Sequence, residues 1–178
     1  GINFIEFLKN GETSITPLSV SEVYKHTIEK QLVLYFTDTS RNSAAIIDEQ
    51  VKNVREKNEK SIQAMHHLKE QAYLMKDIIR NGQPDELGPL LHIGFNHKKN
   101  MAANISNPAI ETLYAAALNA GATGGKISGA GGGGFMVFYC PGNTREAVCK
   151  ILLSFGGKVR TYSLVSEGLQ CRTENIFL

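Results

Sequence analysis

The chain begins with alternation. Ile2-Asn-Phe-Ile-Glu-Phe-Leu8 and Glu12-Thr-Ser-Ile-Thr-Pro17 flank Asn10-Gly11, a dipeptide that takes the positive backbone angles of a tight hairpin. This predicts strands over residues 2–8 and 12–17. Gln31-Leu-Val-Leu-Tyr-Phe36 is a short apolar run with aromatic content, which predicts a buried strand. The period then lengthens. A helical region opens at Ser43, and Ile62, Met65, Leu68, Ala72, Met75 and Ile79 recur at steps of three and four, one face of a long helix. That face reads as core rather than as the lining of a ligand site. Gly82 is placed to end this helix and Pro84 to open the next, which carries Leu87, Leu90, Leu91, Phe95 and Met101.

Asn107-Pro108 reads as an N-cap followed by proline in the first helical turn. The helix it opens turns Ile110, Leu113, Ala117 and Leu118 inward and stops at Gly121. A glycine-rich stretch follows, then a strand over residues 135–140. Asn143 with Glu146 three positions later resembles a capping box. It starts a helix through Val148, Ile151, Leu152 and Phe155, stopped by Gly156-Gly157, and residues 158–165 read as a closing strand. The order predicts an α+β domain, with an antiparallel or mixed sheet and helices packed on one face.

Composition narrows the function class. The 178 residues are 42% hydrophobic and 20% charged, enough for one globular domain with a core. A net charge of +2 and the absence of a long basic run point away from nucleic acid and from anionic membrane. No apolar run is long enough to span a bilayer. The N-terminus lacks the basic region and apolar run of a signal peptide, and it lacks a methionine, which reads as a chain cut from something longer. Cys140, Cys149 and Cys171 are odd in number and form no C-x-x-C pair, so they read as small core hydrophobes in a reducing cytoplasm. His66 and His67 are adjacent, and His92 and His97 are five apart. Neither pair shares a helical face, and no metal-ligand cluster emerges.

The glycines carry the candidate chemistry. Eight of the 17 lie between Gly121 and Gly134, five of them within Gly129-Ala-Gly-Gly-Gly-Gly134. Glycine costs chain entropy, so the cluster needs a reason. One is close backbone approach to a polar ligand, with successive N–H groups forming an anion site. The other is a flexible turn or tight helix–strand packing. Gly129-x-Gly131-x-x-Gly134 matches the dinucleotide fingerprint formally, but that motif follows a strand and opens a helix, whereas these glycines read as following a helix and opening a strand. A Walker loop also fails: Ile127 follows Lys126, and Ala120 holds the first glycine position.

Lys126-Ile-Ser-Gly-Ala-Gly-Gly-Gly-Gly-Phe135, between an alanine-rich helix and an apolar strand, resembles the third conserved motif of the GHMP kinases. Three further stretches resemble the sugar branch of that family, the heptose 7-phosphate kinases in particular. They are Leu34-Tyr-Phe-Thr-Asp-Thr-Ser-Arg-Asn-Ser43, Leu90-Leu-His-Ile-Gly-Phe-Asn-His-Lys-Lys99 and Ile105-Ser-Asn-Pro-Ala-Ile-Glu-Thr-Leu-Tyr114. The resemblance implies a ferredoxin-like C-terminal domain over residues 31–178, preceded by the end of the N-terminal domain, a hairpin and short helix over residues 1–30. It implies an ATP- and Mg²⁺-dependent kinase that phosphorylates a sugar hydroxyl, the anomeric hydroxyl of a heptose 7-phosphate, toward nucleotide sugars and surface polysaccharide. Fucose or a similar sugar is the alternative acceptor, and a non-catalytic metabolite-binding module the alternative class.

The family's first two motifs, including the P-x-x-x-G-L-G-S-S-like ATP phosphate loop, do not occur in this sequence. Nor does the aspartate that should precede the hairpin; Asp38 stands in a different context. The resemblance therefore implies that no catalytic residue lies in this chain, that its partner is the missing N-terminal half, and that the isolated chain is inactive. Homo-oligomerisation is left open. The implied cleft loop is Ser128, Gly129, Ala130, Gly131, Gly132, Gly133 and Gly134. The implied acceptor-binding residues are Thr39, Ser40, Arg41, Lys98 and Lys126. Read without the resemblance, Thr37, Thr39, Ser40, Arg41 and Ser43 are a helix cap with a surface arginine, and Lys98, Lys99 and Lys126 are solvated. His97 reads as a surface or half-buried histidine.

Overall fold

The Asn10-Gly11 turn forms as its chemistry requires. Gly11 takes φ of 87°, and the Asn10 side chain accepts from the Glu12 amide at 3.1 Å. The computed structural model describes residues 1–39, 43–168 and 171. In it, this turn joins β1 (Asn3–Phe7) to β2 (Thr13–Pro17) as an antiparallel pair separate from the main sheet. The main sheet follows α1 (Glu22–Gln31), which Ser21 caps by accepting from the Tyr24 amide at 3.1 Å. Its strands are β3 (Leu32–Phe36), β4 (Gly124–Ile127), β5 (Phe135–Tyr139) and β6 (Lys158–Arg160). Between β3 and β4 run α2 (Ser43–Arg55), α3 (Glu59–Arg80), α4 (Leu87–Lys99) and α5 (Pro108–Asn119), and α6 (Arg145–Leu153) links β5 to β6. The spatial order β4-β5-β3-β6, antiparallel throughout, is the ferredoxin-like arrangement.

Register sorts the two sheet faces. Ile127, Met136, Tyr35 and Val159 pair in one row, and the first three are fully buried. With Val33 and Phe138 they meet Ile110, Leu113 and Ala117 of α5 and Val148 and Leu152 of α6. Each buried Val, Leu, Ile, Phe or Met side chain among these contributes about 1.5–3 kcal/mol. The next row is Lys126, Val137, Leu34 and Arg160, half-buried in the middle and charged at both edges. On that face a smaller cluster, Tyr24, Ile28, Leu87 and Tyr139 with Met75 and Ile79, covers only the end away from the β4–β5 loop. The principal core thus has its helices on one face, and α1 and α3 cap part of the other.

Four local expectations change. Gly124–Ile127 forms a strand that the glycines concealed: a Cβ on Gly124 would sit 1.9 Å from the Gly88 carbonyl oxygen, so this strand is glycine-rich because α4 lies directly against it. The closing strand ends at Arg160 rather than 165. The Asn143–Glu146 box does not form; Thr144 occupies the N-cap in a helical conformation, with its hydroxyl donating to the Pro141 carbonyl at 2.8 Å. The α3 stripe is half-buried, with Ala72 exposed: Met75 and Ile79 pack into the smaller cluster, whereas Leu68 and Ala72 line a cavity between α3 and α4.

Candidate functional site

Ser128–Gly134 connects β4 to β5. The glycine run therefore follows a strand, not a helix, yet it opens a strand, so the dinucleotide and Walker geometries remain excluded. Gly129, Gly131, Gly132 and Gly134 have φ of 74°, 118°, 75° and 84°, angles a side chain resists. Space excludes side chains as well. A Cβ on Gly131 would lie 2.7 Å from the Ile105 carbonyl oxygen, and one on Gly133 would lie 2.6 Å from Thr39 Oγ1.

The loop is held at defined points. The Gly132 amide donates to the Ile105 carbonyl at 2.8 Å. The Gly134 amide donates to Thr37 Oγ1 at 2.9 Å and to the Thr39 carbonyl at 3.1 Å, and the Thr37 amide donates back to the Gly134 carbonyl at 2.9 Å. Ser128 donates to the Phe135 carbonyl at 2.8 Å. Among the described residues, no group accepts from the amides of Gly129, Ala130, Gly131 and Gly133. Uncommitted amides on a tethered loop are donors of the kind that suits an anion.

Beside it lies a cavity of about 390 Å³. Leu68, Ala72 and Met75 of α3 and Leu91 and Phe95 of α4 form its apolar wall, and Lys98, Lys126 and Gly129 its polar side. Lys98 Nζ donates to the Gly129 carbonyl. Burial first, and then the charge of Lys126, push the Lys98 ammonium down to about 8. Among the described residues no carboxylate lines the cavity, and residues 128–134 contain none.

Of the residues expected at the site, the structure brings Thr39, Lys98 and Lys126 to the loop or to its cavity. Thr39 supports the loop, and its hydroxyl shares a 2.9 Å hydrogen bond with Thr37. Ser40 and Arg41 lie outside the described residues. Lys99 does not face solvent freely: it meets Glu111 at 3.0 Å and lies over the Phe95 ring at 5.0 Å. Glu111 also accepts from Ser106 at 2.5 Å, fixing the segment that presents the Ile105 carbonyl. His97 stacks on His67 at 4.5 Å between ring centres. The sequence does not reveal Ile105 as a loop anchor, because its contribution is a backbone carbonyl.

Among the described residues, no group of three or more His, Cys, Asp or Glu is placed to hold a metal ion. The donors here are amides, ammonium groups and hydroxyls. They suit phosphate oxygens and do not fit Mg²⁺, which takes carboxylates.

Comparison with known proteins finds relatives of this chain and of its fold. The family described as GHMP kinases C terminal matches residues 74–158. A D-glycero-alpha-D-manno-heptose 7-phosphate kinase of Campylobacter jejuni is 34% identical over 170 residues, 96% of this chain and 50% of that protein. A mevalonate kinase of Pyrococcus abyssi is 30% identical over 151 residues, 80% of this chain and 43% of that protein. Among solved structures, a D-glycero-D-manno-heptose 1-phosphate kinase from Bacteroides thetaiotaomicron superposes with a TM-score of 0.67 at 25% identity, covering 97% of this chain and 46% of that one. The chain spans about half the length of the curated relatives it matches.

Proposed function

Because this chain belongs to the GHMP kinases, carrying their C-terminal domain, we propose that it is the C-terminal half of an ATP-dependent sugar kinase in the cytoplasm. Its acceptor is a heptose phosphate, phosphorylated on the anomeric hydroxyl, and the product feeds nucleotide-sugar synthesis. The observation that carries this is the Ser128–Gly134 loop, tied at Gly132 and Gly134, with four amides that have no acceptor among the described residues. Phosphoryl transfer spreads negative charge over the equatorial oxygens, and prepositioned donors stabilise that charge. The loop supplies such donors on one wall of the cleft.

The ATP phosphate loop and the base belong to the other half of the protein. Any Mg²⁺ ligands do too. The hairpin and α1 form the end of that half. Ile5 is 48% exposed, its cross-strand partner Ile15 61% and Phe7 83%, an apolar face that two strands cannot bury alone. The apolar cavity wall and the mevalonate kinase relatives support a second reading, a branched acid as acceptor.

The test is ADP release from ATP with D-glycero-D-manno-heptose 7-phosphate, fucose or mevalonate as acceptor. It is run on the full-length protein and on residues 1–178. Turnover with the heptose phosphate by the full-length protein alone is expected. Turnover by the isolated chain overturns the half-enzyme reading, and preference for mevalonate or fucose overturns the acceptor.

A further inference from the structure

We propose that Lys98 and Lys126 form the seat for the phosphate that the acceptor already carries, separate from the loop amides that face the transferred group. This rests on the kinase reading for its context. The lysines come from different elements, the last turn of α4 and the middle of β4, and converge on one cavity. Among the described residues neither forms an ion pair, although Lys99, the next residue along, is paired with Glu111. Two ammonium groups kept together without a carboxylate repel each other, and the lowered proton affinity of Lys98 records that repulsion together with its burial. An arrangement that disfavours the free protein in this way is relieved by an anion.

The positions of the two lysines also bear on how an acceptor would lie. Lys98 Nζ is held to the carbonyl of Gly129, at the cavity end of the loop. The anchored end of the loop lies against Thr37, Thr39 and Ile105. The site thus has two anion positions, joined by the loop. One is lined by amides and the other by ammonium groups beside the apolar wall of Leu68, Met75 and Phe95. A sugar phosphate placed with its hydroxyl toward the amides and its phosphate toward the lysines occupies both.

The experiment compares kcat/KM for D-glycero-D-manno-heptose 7-phosphate with that for the same heptose lacking phosphate, in the full-length protein. Lys98→Gln and Lys126→Gln are each expected to lower the ratio of the two at least tenfold, mainly through KM of the phosphorylated sugar, and Lys98→Arg to restore most of it. Thermal melting confirms folding of each variant; Lys126 is exposed, so its replacement tests the site even if Lys98→Gln fails to fold. An unchanged ratio, including equal loss on both sugars or a loss confined to KM for ATP, overturns the assignment. If the wild-type protein turns over neither sugar, the kinase reading fails on its own. Calorimetric binding of the two sugars then decides the lysines: phosphate-dependent affinity that Lys98→Gln abolishes upholds the seat, and affinity indifferent to phosphate or to the substitution overturns it.

Discussion

The amide of Gly132 donates to the carbonyl oxygen of Ile105 at 2.8 Å, and a Cβ on the neighbouring Gly131 would lie 2.7 Å from that same oxygen. One carbonyl therefore both holds the loop and forbids side chains on it. Gly131→Ala forces a strained φ and a backbone clash together. We expect it to cost about 1–3 kcal/mol and to lower turnover of the full-length protein more than tenfold. Urea unfolding and steady-state kinetics check the two parts, and wild-type kinetics in a folded variant would show the loop to be only a turn.

Tyr114 guards the edge of the sheet beside the loop. Its hydroxyl accepts from the Gly125 amide at 3.1 Å, and it lies 3.2 Å from the Gly125 carbonyl and 2.9 Å from His92 Nδ1. Burial pushes this phenol up to about 12, so it stays protonated and able to donate at neutral pH. Tyr114→Phe leaves a buried amide without a partner and should cost about 1–3 kcal/mol. Equilibrium unfolding measures this, and a change within a few tenths of a kcal/mol would show that water replaces the hydroxyl.

Lys98 gives a pH signature. With its proton affinity pushed down to about 8, the free ammonium is largely charged at pH 7 and about nine-tenths neutral by pH 9. Affinity for a sugar phosphate should hold below pH 7 and fall as pH rises through 8. Lys98→Arg, whose charge persists, should move that decline above pH 10. The sign for stability is opposite. A lysine whose folded value lies below its unfolded value contributes a penalty that is present when charged and is relieved as pH rises through 8. Lys98→Met should therefore melt no lower than wild type at pH 7 while binding substrate more weakly. A lower melting temperature would show that the Lys98 ammonium stabilises the free fold.

Glu111 behaves as an acid-side anchor. Partial burial pushes its carboxyl up, but the hydrogen bonds from Ser106 and Lys99 outweigh this and hold it below the usual carboxylate range. Its stabilisation is complete above the unfolded carboxylate value and is lost as pH falls through the lower folded one. Glu111→Gln should cost about 1 kcal/mol at pH 7, modest because the side chain is 45% exposed and screened. It should converge on wild type in acid, once the pH has fallen through the lowered folded value. A gap that persists in acid would mean the glutamine disturbs packing rather than charge.

The sequence shows elements where side chains repeat and hides them where backbone does the work. Asn10-Gly11, Asn107-Pro108 and the 31–36 run predict their structures because turn angles, caps and apolar strands depend on residue type. Gly124-Gly125 conceals a strand, since the packing that demands glycine there comes from Gly88, 36 positions earlier. At the site, the glycine motif and Lys98, Lys126 and Thr39 are visible in the sequence. Ile105 is not, because any residue has a carbonyl. That Lys98 has no ion-pair partner among the described residues is legible only once Glu111 is seen to choose Lys99.

In the proposed kinase the amides of Gly129, Ala130, Gly131 and Gly133 receive phosphate. Amide chemical shifts of Gly129, Ala130, Gly131 and Gly133 in the full-length protein test it most directly, read with a non-hydrolysable ATP analogue and heptose 7-phosphate added together. We predict large downfield shifts and slowed hydrogen exchange at these four residues, little change at Gly132 and Gly134, whose donors are already committed, and loss of the response in Gly131→Ala. Unperturbed loop amides in a saturated complex would contradict the account.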